Sequence, residues 1–447
     1  MDLDQTQNAL KFAQQQRQKL FKQLPANSAV LISSGHEQIR NRDVEYPFRA
    51  DSDFSYLTGF YEPESVLLLV KNQANQSTIF VRPKDPEQET WQGRRLGVDM
   101  APQMLAVDQA CSIDALEEAV IEALENIENI YFSFSQMRDW MPLIENGLSG
   151  LKAKIRKGIS APTKLCDLDA IMHENRVVKS PQEIAWMRHA AQVSVEGHLA
   201  AMQSVAPGKY EFQVQSALEN AFKMLGSQRV AFSTIAASGD NACILHYTEN
   251  TDLIGDHHLV LVDAGAEMHG YAGDITTTFP ASGKFTNEQA ALYNVVLKAQ
   301  QAAIEVIKPG VSYNTPHQVV LKVLTEGLVE LGILSGEVDV LIEEEAYKPF
   351  FMHGTGHWLG MDVHDVGVYK INGQWRALQS GMVLTIEPGL YIAPGSPNVD
   401  DRWQGIGIRI EDDVLVTEEG FDVLTKGLPR TVSEIEAWML DNNPNLS

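Results

Sequence analysis

The chain has 447 residues, a formal net charge of −24 at pH 7 and a sequence pI near 4.9. A field of that sign repels nucleic-acid phosphates and anionic lipid surfaces, so we expect neither nucleic acid nor a membrane as a partner. Hydrophobic residues make up 44% of the chain, which excludes a disordered protein, and the length favours two domains.

No segment has the features of a signal peptide or of a membrane-spanning helix. The first 20 residues lack a basic leader and an apolar stretch, and no later apolar run is long enough to span a bilayer. The 3 cysteines are scattered, which favours neither a disulfide framework nor a cysteine-rich zinc site. We therefore expect a cytoplasmic protein.

The first part of the sequence alternates between helical and strand patterns. Residues 6–24 and 115–127 have helical periodicity. Apolar runs typical of strands cover residues 29–32, 66–70, 78–81 and 130–134. Periodicity is lost over residues 157–169, so we predict an α/β amino-terminal domain over residues 1–173.

The second part is predicted to be an α+β domain over residues 174–447. Ser180, Pro181 and Glu183 together form a helix-start signal, with a capping serine, a proline at the first helical position and a glutamate three residues after the cap. Helical patterns cover residues 181–204, 211–225, 287–307 and 316–331. VLVDAG at residues 260–265 and VLTIEPG at 383–389 form a faint internal echo, for which duplication and coincidence both stay open.

Five residues of this second part are candidate metal ligands. Each lies in a glycine-punctuated or β-patterned segment, and the set is Asp263, Asp274, His357, Glu387 and Glu411. Four carboxylates and one imidazole are too anionic to bury together without cations, and oxygen and imidazole ligands suit divalent metals. The pattern therefore predicts a site for two divalent ions and metal-assisted hydrolysis.

The spacing of Asp263 and Asp274 predicts a hairpin in which they face each other. If the chain turns at residues 268 and 269, Glu267 faces Gly270 and the two aspartates lie directly opposite, with Cβ atoms about 5 Å apart. Two carboxylates that close would need a cation between them to ionise together. A turn or cap role is the alternative for a single aspartate, but these two lie away from the tip of the turn.

The remaining candidates lie in a strand pattern and a histidine-rich loop. Period-two alternation along GIGIRIEDD from Gly405 puts Arg409 and Glu411 on one face, either as an internal ion pair or as a ligand beside a cation. Glu387 ends an apolar run, where a solvated strand end is the alternative. The histidines of HGTGHWLGMDVHD from His353 lie among glycines, which favours a loop close to a ligand.

These segments resemble the proline-specific metallopeptidases of the pita-bread fold, the Xaa-Pro aminopeptidase (aminopeptidase P) family. The similar segments of the second part are VDAGAEMHGYAGDITTTFP from Val262, HGTGHWLGMDVHDVGVY from His353, MVLTIEPGLYIAPG from Met382 and GIGIRIEDDVLVT from Gly405. Elsewhere they are CILHYTEN from Cys243, EYPFRADSDFSYLTGFYEPES from Glu45 and TWQGRRLG from Thr90. The resemblance covers nearly the whole chain.

The resemblance implies a pita-bread catalytic domain with two metal ions, usually Mn²⁺, with Co²⁺, Zn²⁺ and Fe²⁺ as alternatives. Asp263 and Glu411 would bridge the ions, Asp274 would bind one, and His357 and Glu387 the other. The implied substrate-side residues are His246, His353, His364, Tyr391 and Arg409. Trp91 matches an aromatic residue that reaches a neighbouring subunit's site in family tetramers, so a homo-oligomer, dimer or tetramer, is expected. Phe232 stands where near relatives carry a tyrosine.

The implied reaction removes the amino-terminal residue from a peptide that has proline second, through a hydroxide bridging the metals. Glu387 is the expected proton shuttle, and His364, His353 and Arg409 are expected to hold the carbonyl oxygen. Tyr391, His246 and Trp91 are expected to line the proline pocket. Prolidase, restricted to Xaa-Pro dipeptides, is the nearest alternative. Methionine aminopeptidase, a metal-free creatine hydrolase and a protein-binding module are more distant ones.

Overall fold

The computed structural model describes residues 3–446, and the chain divides into two compact units. The first unit ends at Asn175 and the second begins at Arg176. The division falls inside the helix Asp169–Val177, which also contains the boundary drawn from the sequence after residue 173.

The first unit is built on a six-stranded mixed sheet with the order β6-β5-β4-β1-β7-β8. The strands, including an exposed hairpin of β2 and β3, are β1 (Ser28–Ser33), β2 (Ile39–Asn41), β3 (Val44–Glu45), β4 (Val66–Lys71), β5 (Asn75–Val81), β6 (Gln109–Ser112), β7 (Asn129–Phe132) and β8 (Lys164–Asp167). The helices are α1 (Leu3–Gln23), α2 (Ser52–Thr58), α3 (Pro86–Gln92), α4 (Ala101–Leu105), α5 (Leu116–Ala123), α6 (Met137–Ala153) and α7 (Asp169–Val177). The strands predicted in this part are confirmed as β1, β4, β5 and β7.

The second unit contains six helices and thirteen short strands within the described residues. The helices are α8 (Pro181–Ser204), α9 (Glu211–Met224), α10 (Asn287–Glu305), α11 (Thr315–Glu330), α12 (Val338–Glu343) and α13 (Val432–Asn442). The strands are β9 (Arg229–Val230), β10 (Ile235–Ser238), β11 (Leu259–Ala264), β12 (Ala266–Met268), β13 (Tyr271–Ala272), β14 (Ile275–Pro280), β15 (Lys370–Ile371), β16 (Gln374–Trp375), β17 (Val383–Ile386), β18 (Gly389–Ile392), β19 (Ile406–Arg409), β20 (Asp412–Val416) and β21 (Phe421–Val423).

The helix-start signal at Ser180 is confirmed as a reciprocal capping box. The Ser180 hydroxyl accepts from the Glu183 amide at 3.4 Å, and the Glu183 carboxylate accepts from the Ser180 amide at 2.8 Å. Two otherwise unsatisfied amides at the helix start are thereby bonded.

Among the described residues, no helix combines the length and apolar character needed to cross a membrane.

The predicted hairpin register is wrong by two residues. The left-handed residues of the turn are His269, with a φ of 56°, and Gly270, with a φ of 79°. Glu267 therefore pairs with Ala272, and Asp263 pairs with Thr276 rather than with Asp274. Since Asp274 and Thr276 are two positions apart, both aspartates still project to the same face of the hairpin.

Three antiparallel pairs position the candidate ligands. β11 pairs with β14, β17 with β20, and β18 with β19. Asp274 immediately precedes β14, as Glu411 precedes β20, which gives the echo seen in the sequence a structural counterpart. A hydrophobic core of buried residues lies around these strands and under helices α8, α10 and α11.

Candidate metal centre

All five predicted ligands line one cavity of about 640 Å³ in the second unit. Ligand atoms of Asp274, His357 and Glu411 lie within 4.8 Å of one another. Nε2 of His357 lies 3.4 Å from the Asp274 carboxylate and 3.7 Å from the Glu387 carboxylate. The chain thus brings together groups that are up to 148 positions apart, between Asp263 and Glu411.

The tautomer of His357 directs a lone pair at these carboxylates. Its Nδ1 lies 2.9 Å from the backbone carbonyl of Trp358, which can only accept, so Nδ1 carries the proton. In the neutral ring, Nε2 is then an acceptor that faces other acceptors. This contact is repulsive unless a cation lies between them, and an outward Nε2 held by an Nδ1–H bond is the usual form of a histidine ligand.

Burial and mutual repulsion destabilise the ionised form of the carboxylates in the cavity. Burial, and then neighbouring carboxylates, raise the pKa of Asp274 and of Glu411 well above the usual range. Burial also raises the pKa of Glu387. Oδ1 of Asp263 is buried without a hydrogen-bond partner in the described structure. Divalent cations fit this donor set, because they would neutralise the negative charge of the carboxylates and would bind Oδ1 of Asp263.

The predicted strand carrying both Arg409 and Glu411 is interrupted. β19 ends at Arg409 and β20 begins at Asp412, so simple alternation does not apply. The two residues nevertheless meet at Thr276, whose hydroxyl donates to Glu411 at 2.7 Å and accepts from Arg409 Nε at 3.1 Å. The ion pair of Arg409 is with Asp263, at 2.5 Å.

Arg409 begins a hydrogen-bonded relay to His353. Its Nη1 donates to the Tyr391 hydroxyl at 3.1 Å, and that hydroxyl lies 2.8 Å from His353 Nε2. Nδ1 of His353 donates to the Gly354 carbonyl at 2.7 Å. Burial, and then Arg409, lower the pKa of His353 to about 3, so the ring is neutral and its Nε2 accepts from Tyr391. Burial raises the pKa of Tyr391 to about 12, which keeps the hydroxyl protonated.

The other predicted site residues divide into three groups. His246, His353, His364 and Arg409 line the cavity, as does Phe232. Tyr391 does not line it, because its side chain is 1% exposed and lies in a small apolar cluster. Trp91 belongs to the first unit, on α3, and is 83% exposed.

The chain matches two protein families over separate segments. Residues 185–418 match the model of Metallopeptidase family M24, and residues 13–131 match the aminopeptidase P N-terminal domain. The chain belongs to metallopeptidase family M24. It is therefore a metal-dependent peptidase by family, with an additional amino-terminal domain.

Two named relatives are similar to this chain over almost its full length. Xaa-Pro aminopeptidase from Escherichia coli (strain K12) is 43% identical over 429 residues, which cover 96% of this chain and 97% of that protein. Xaa-Pro aminopeptidase from Haemophilus influenzae is 44% identical over 427 residues, covering 95% and 96%.

Solved structures of the M24 family give the same fold. Pseudomonas aeruginosa aminopeptidase PepP matches with a TM-score of 0.95 at 44% identity, covering 97% of this chain and 98% of that one. An Escherichia coli aminopeptidase P variant in complex with substrate matches with a TM-score of 0.94 at 42% identity, covering 97% and 99%. The predicted fold class, an α/β amino-terminal domain followed by an α+β pita-bread domain, is confirmed.

Sequence reasoning missed the polar residues that hold the ligands in place. Thr385 accepts from the His357 amide at 3.1 Å, and Asp413 accepts from the Asp274 amide at 3.2 Å. Thr276 holds Glu411, as described above. Each of these residues lies in a strand, and only the fold reveals which ligand it contacts.

Proposed function

We propose that this M24 peptidase is an exopeptidase that removes the amino-terminal residue from peptides with proline at the second position. The observation that carries the proposal is the single cavity in which the whole ligand set meets His246, His353, His364 and Arg409. Two relatives that share more than 40% of its residues over nearly its whole length are named Xaa-Pro aminopeptidase, which supports this proposal.

Asp263, Asp274, His357, Glu387 and Glu411 are proposed to hold two divalent ions. The carboxylates of Asp263, Asp274, Glu387 and Glu411 and the imidazole of His357 would supply the ligand atoms. When bound, such ions lower the pKa of water and polarise a carbonyl group. Manganese is the proposed metal, with cobalt, zinc and iron as alternatives, because oxygen ligands outnumber nitrogen here.

Glu387 is proposed to move the proton from the attacking water to the leaving nitrogen. Its carboxylate lines the cavity and lies 3.7 Å from Nε2 of His357, and a carboxylate in that place can take up and release a proton. The free amino group of the substrate is proposed to lie at the carboxylate-rich end of the cavity, which would restrict cleavage to the amino terminus.

His364 is the best-placed donor to the carbonyl oxygen of the substrate. Neither of its ring nitrogens is hydrogen-bonded within residues 3–446, and burial followed by His357 lowers its pKa. In contrast, both ring nitrogens of His353 already have hydrogen-bond partners, and Nε, Nη1 and Nη2 of Arg409 each donate to one. We therefore propose that His353 and Arg409 shape the cavity and its charge, and that His364 donates to the developing oxyanion.

Proline recognition is proposed to depend on shape, because the amide nitrogen of proline itself carries no hydrogen to bond. His246 and the ring of His353 offer flat surfaces inside the cavity, and Tyr391 supports the His353 ring from behind. Trp91 is proposed to complete the pocket of a second copy of the chain in a homo-oligomer. The amino-terminal domain as a whole is proposed to serve oligomerisation and access of the substrate. A cytoplasmic location is also proposed.

Replacing Tyr391 with Phe is expected to lower kcat/KM for a Gly-Pro-Xaa tripeptide roughly tenfold, since it breaks the relay at a bond to a charged group. His353 Nε2 would lose its donor and the ring its orientation. Steady-state kinetics on the metal-loaded enzyme measure the change. Tyr56→Phe is the matched control, because it removes a buried hydroxyl from the first unit. An unchanged kcat/KM would show that the relay has no part in catalysis.

Comparing a dipeptide with a tripeptide tests the proposed specificity. We expect the metal-loaded enzyme to cleave Arg-Pro-Pro at least about tenfold faster than Arg-Pro, and to lose activity after chelation until a divalent metal is restored. A preference for Arg-Pro would identify a prolidase instead. Activity unaffected by complete metal removal would refute the proposed centre.

A further inference from the structure

A second cavity of about 610 Å³ adjoins the catalytic one. The two cavities share Gly354, Gly356 and Tyr369 as a common wall. That wall belongs to the loop that carries His353 and His357. The second space therefore borders the loop that forms one side of the catalytic cavity.

The walls of the second cavity are apolar and aromatic. Its lining includes Tyr313, Trp375, Leu384 and Ile386. Leu384 and Ile386 are buried, whereas Trp375 is 41% exposed and forms the rim. Concave, apolar surfaces of this volume with a few polar groups are the usual form of a ligand site.

The second cavity carries a positive charge from a lysine side chain. Among the described residues, no aspartate or glutamate lines it, although the chain has 59 such residues. Lys370 lines it instead, with its ammonium 4.3 Å from the centre of the Trp375 ring. Four carboxylates line the neighbouring catalytic cavity.

We infer that the second cavity is an extended subsite for the part of the peptide that follows proline, and that it takes apolar side chains and a free carboxyl terminus. The inference rests on the proposed function. A peptide has its cation at the amino end and its anion at the carboxyl end. The anion at the carboxyl end is complementary to the Lys370 rim of a space without carboxylates in its described lining.

Each feature of the subsite has a distinct role. Trp375 supplies a large apolar surface with little rotamer entropy to lose, which is typical of a residue that dominates recognition. Lys370, which is exposed, contributes a modest charge attraction that fades with added salt. Side chains in this space would lie against the wall of Gly354 and Gly356, and Tyr313 supports that wall because its hydroxyl donates to the Gly356 carbonyl at 2.5 Å.

The test compares peptides of two lengths and two end groups on the metal-loaded enzyme. The substrates are Gly-Pro-Gly and Gly-Pro-Gly-Leu-Phe, the latter as free acid and as amide. For Trp375→Ala, we expect the ratio of kcat/KM for the pentapeptide to that for the tripeptide to fall about tenfold. For Lys370→Gln, we expect the acid-to-amide ratio to fall about threefold at low salt and less at 0.5 M salt. Lys348→Gln, at an exposed lysine outside the cavity, controls for a general change of charge.

The inference would be overturned if neither ratio changed. That outcome includes the case in which Trp375→Ala lowers kcat/KM equally for the long and the short peptide, and Lys370→Gln lowers it equally for the acid and the amide. Failure of the proposed function has a different signature. In that case the unmodified enzyme would not cleave Gly-Pro-Gly at all, whatever the state of the second cavity.

Discussion

Replacing Glu387 with Gln is expected to lower kcat for a Gly-Pro-Xaa peptide at least about 1000-fold. The substitution keeps the shape of the side chain but removes its charge and its ability to take up a proton. Glu387 lies beside His357 in the cavity and is proposed both as a ligand and as the proton shuttle. Single-turnover and steady-state cleavage of the tripeptide measure the loss.

Metal content separates the two proposed roles of Glu387. A variant that keeps two metal ions per chain but has lost turnover would assign the loss to proton transfer. A variant that has also lost metal would assign it to the ligand role. Glu418→Gln, at an exposed carboxylate in the same unit, should retain full activity. Turnover within about tenfold of the unmodified enzyme would exclude Glu387 from both roles.

The ligand set could be recognised from the sequence because charge burial is a strong constraint. Four carboxylates next to apolar strands have few uses other than cation binding. The pairing of Asp263 with Asp274 was harder to predict. The turn depends on which residues adopt a left-handed conformation, and His269 does so here against the usual preference of non-glycine residues. Moving the turn by one residue changes the residue that faces Asp263 by two positions, from Asp274 to Thr276.

The roles of Arg409 and His353 could not be predicted for a related reason. Sequence alternation places Arg409 near Glu411, but only the fold shows its donors directed to Asp263, Thr276 and Tyr391. Hydrogen-bond direction depends on tautomers and on backbone carbonyls such as that of Gly354. The composition of a segment carries no signal for these.

The loop that carries His357 and His364 is anchored by a buried charge cluster that includes Asp365, the residue after His364. The Asp365 carboxylate lies 2.6 Å from Arg176 and 2.9 Å from Lys179. The backbone N–H of Asp365 donates to the Trp358 carbonyl at 2.8 Å. The three charged side chains are at most 3% exposed. Gly360 makes this approach possible, since a Cβ there would lie 2.1 Å from the Asp365 carboxylate.

Replacing Asp365 with Asn is expected to destabilise the second unit by about 3–5 kcal/mol, because two buried cations lose their counter-charge. For a unit of this size that corresponds to a fall of roughly 10 °C in its unfolding temperature, measured by calorimetry on the metal-loaded enzyme. Asp362→Asn is the matched control. Asp362 bonds the same Arg176 atom at 2.7 Å but its side chain is 36% exposed, so its loss should cost under about 1 kcal/mol.

The pH dependence gives the Asp365 prediction a second, independent readout. Burial alone raises the pKa of Asp365, but Lys179 and then Arg176 outweigh burial and hold the pKa below its usual range. A depressed pKa contributes stability above the unfolded value of about 3.9, and that stability is lost as pH falls through the folded value. The stability difference between the unmodified chain and Asp365→Asn should therefore be largest near neutral pH and shrink below about pH 4. A difference that stays constant with pH would mean that packing of the loop, rather than charge, anchors His357 and His364.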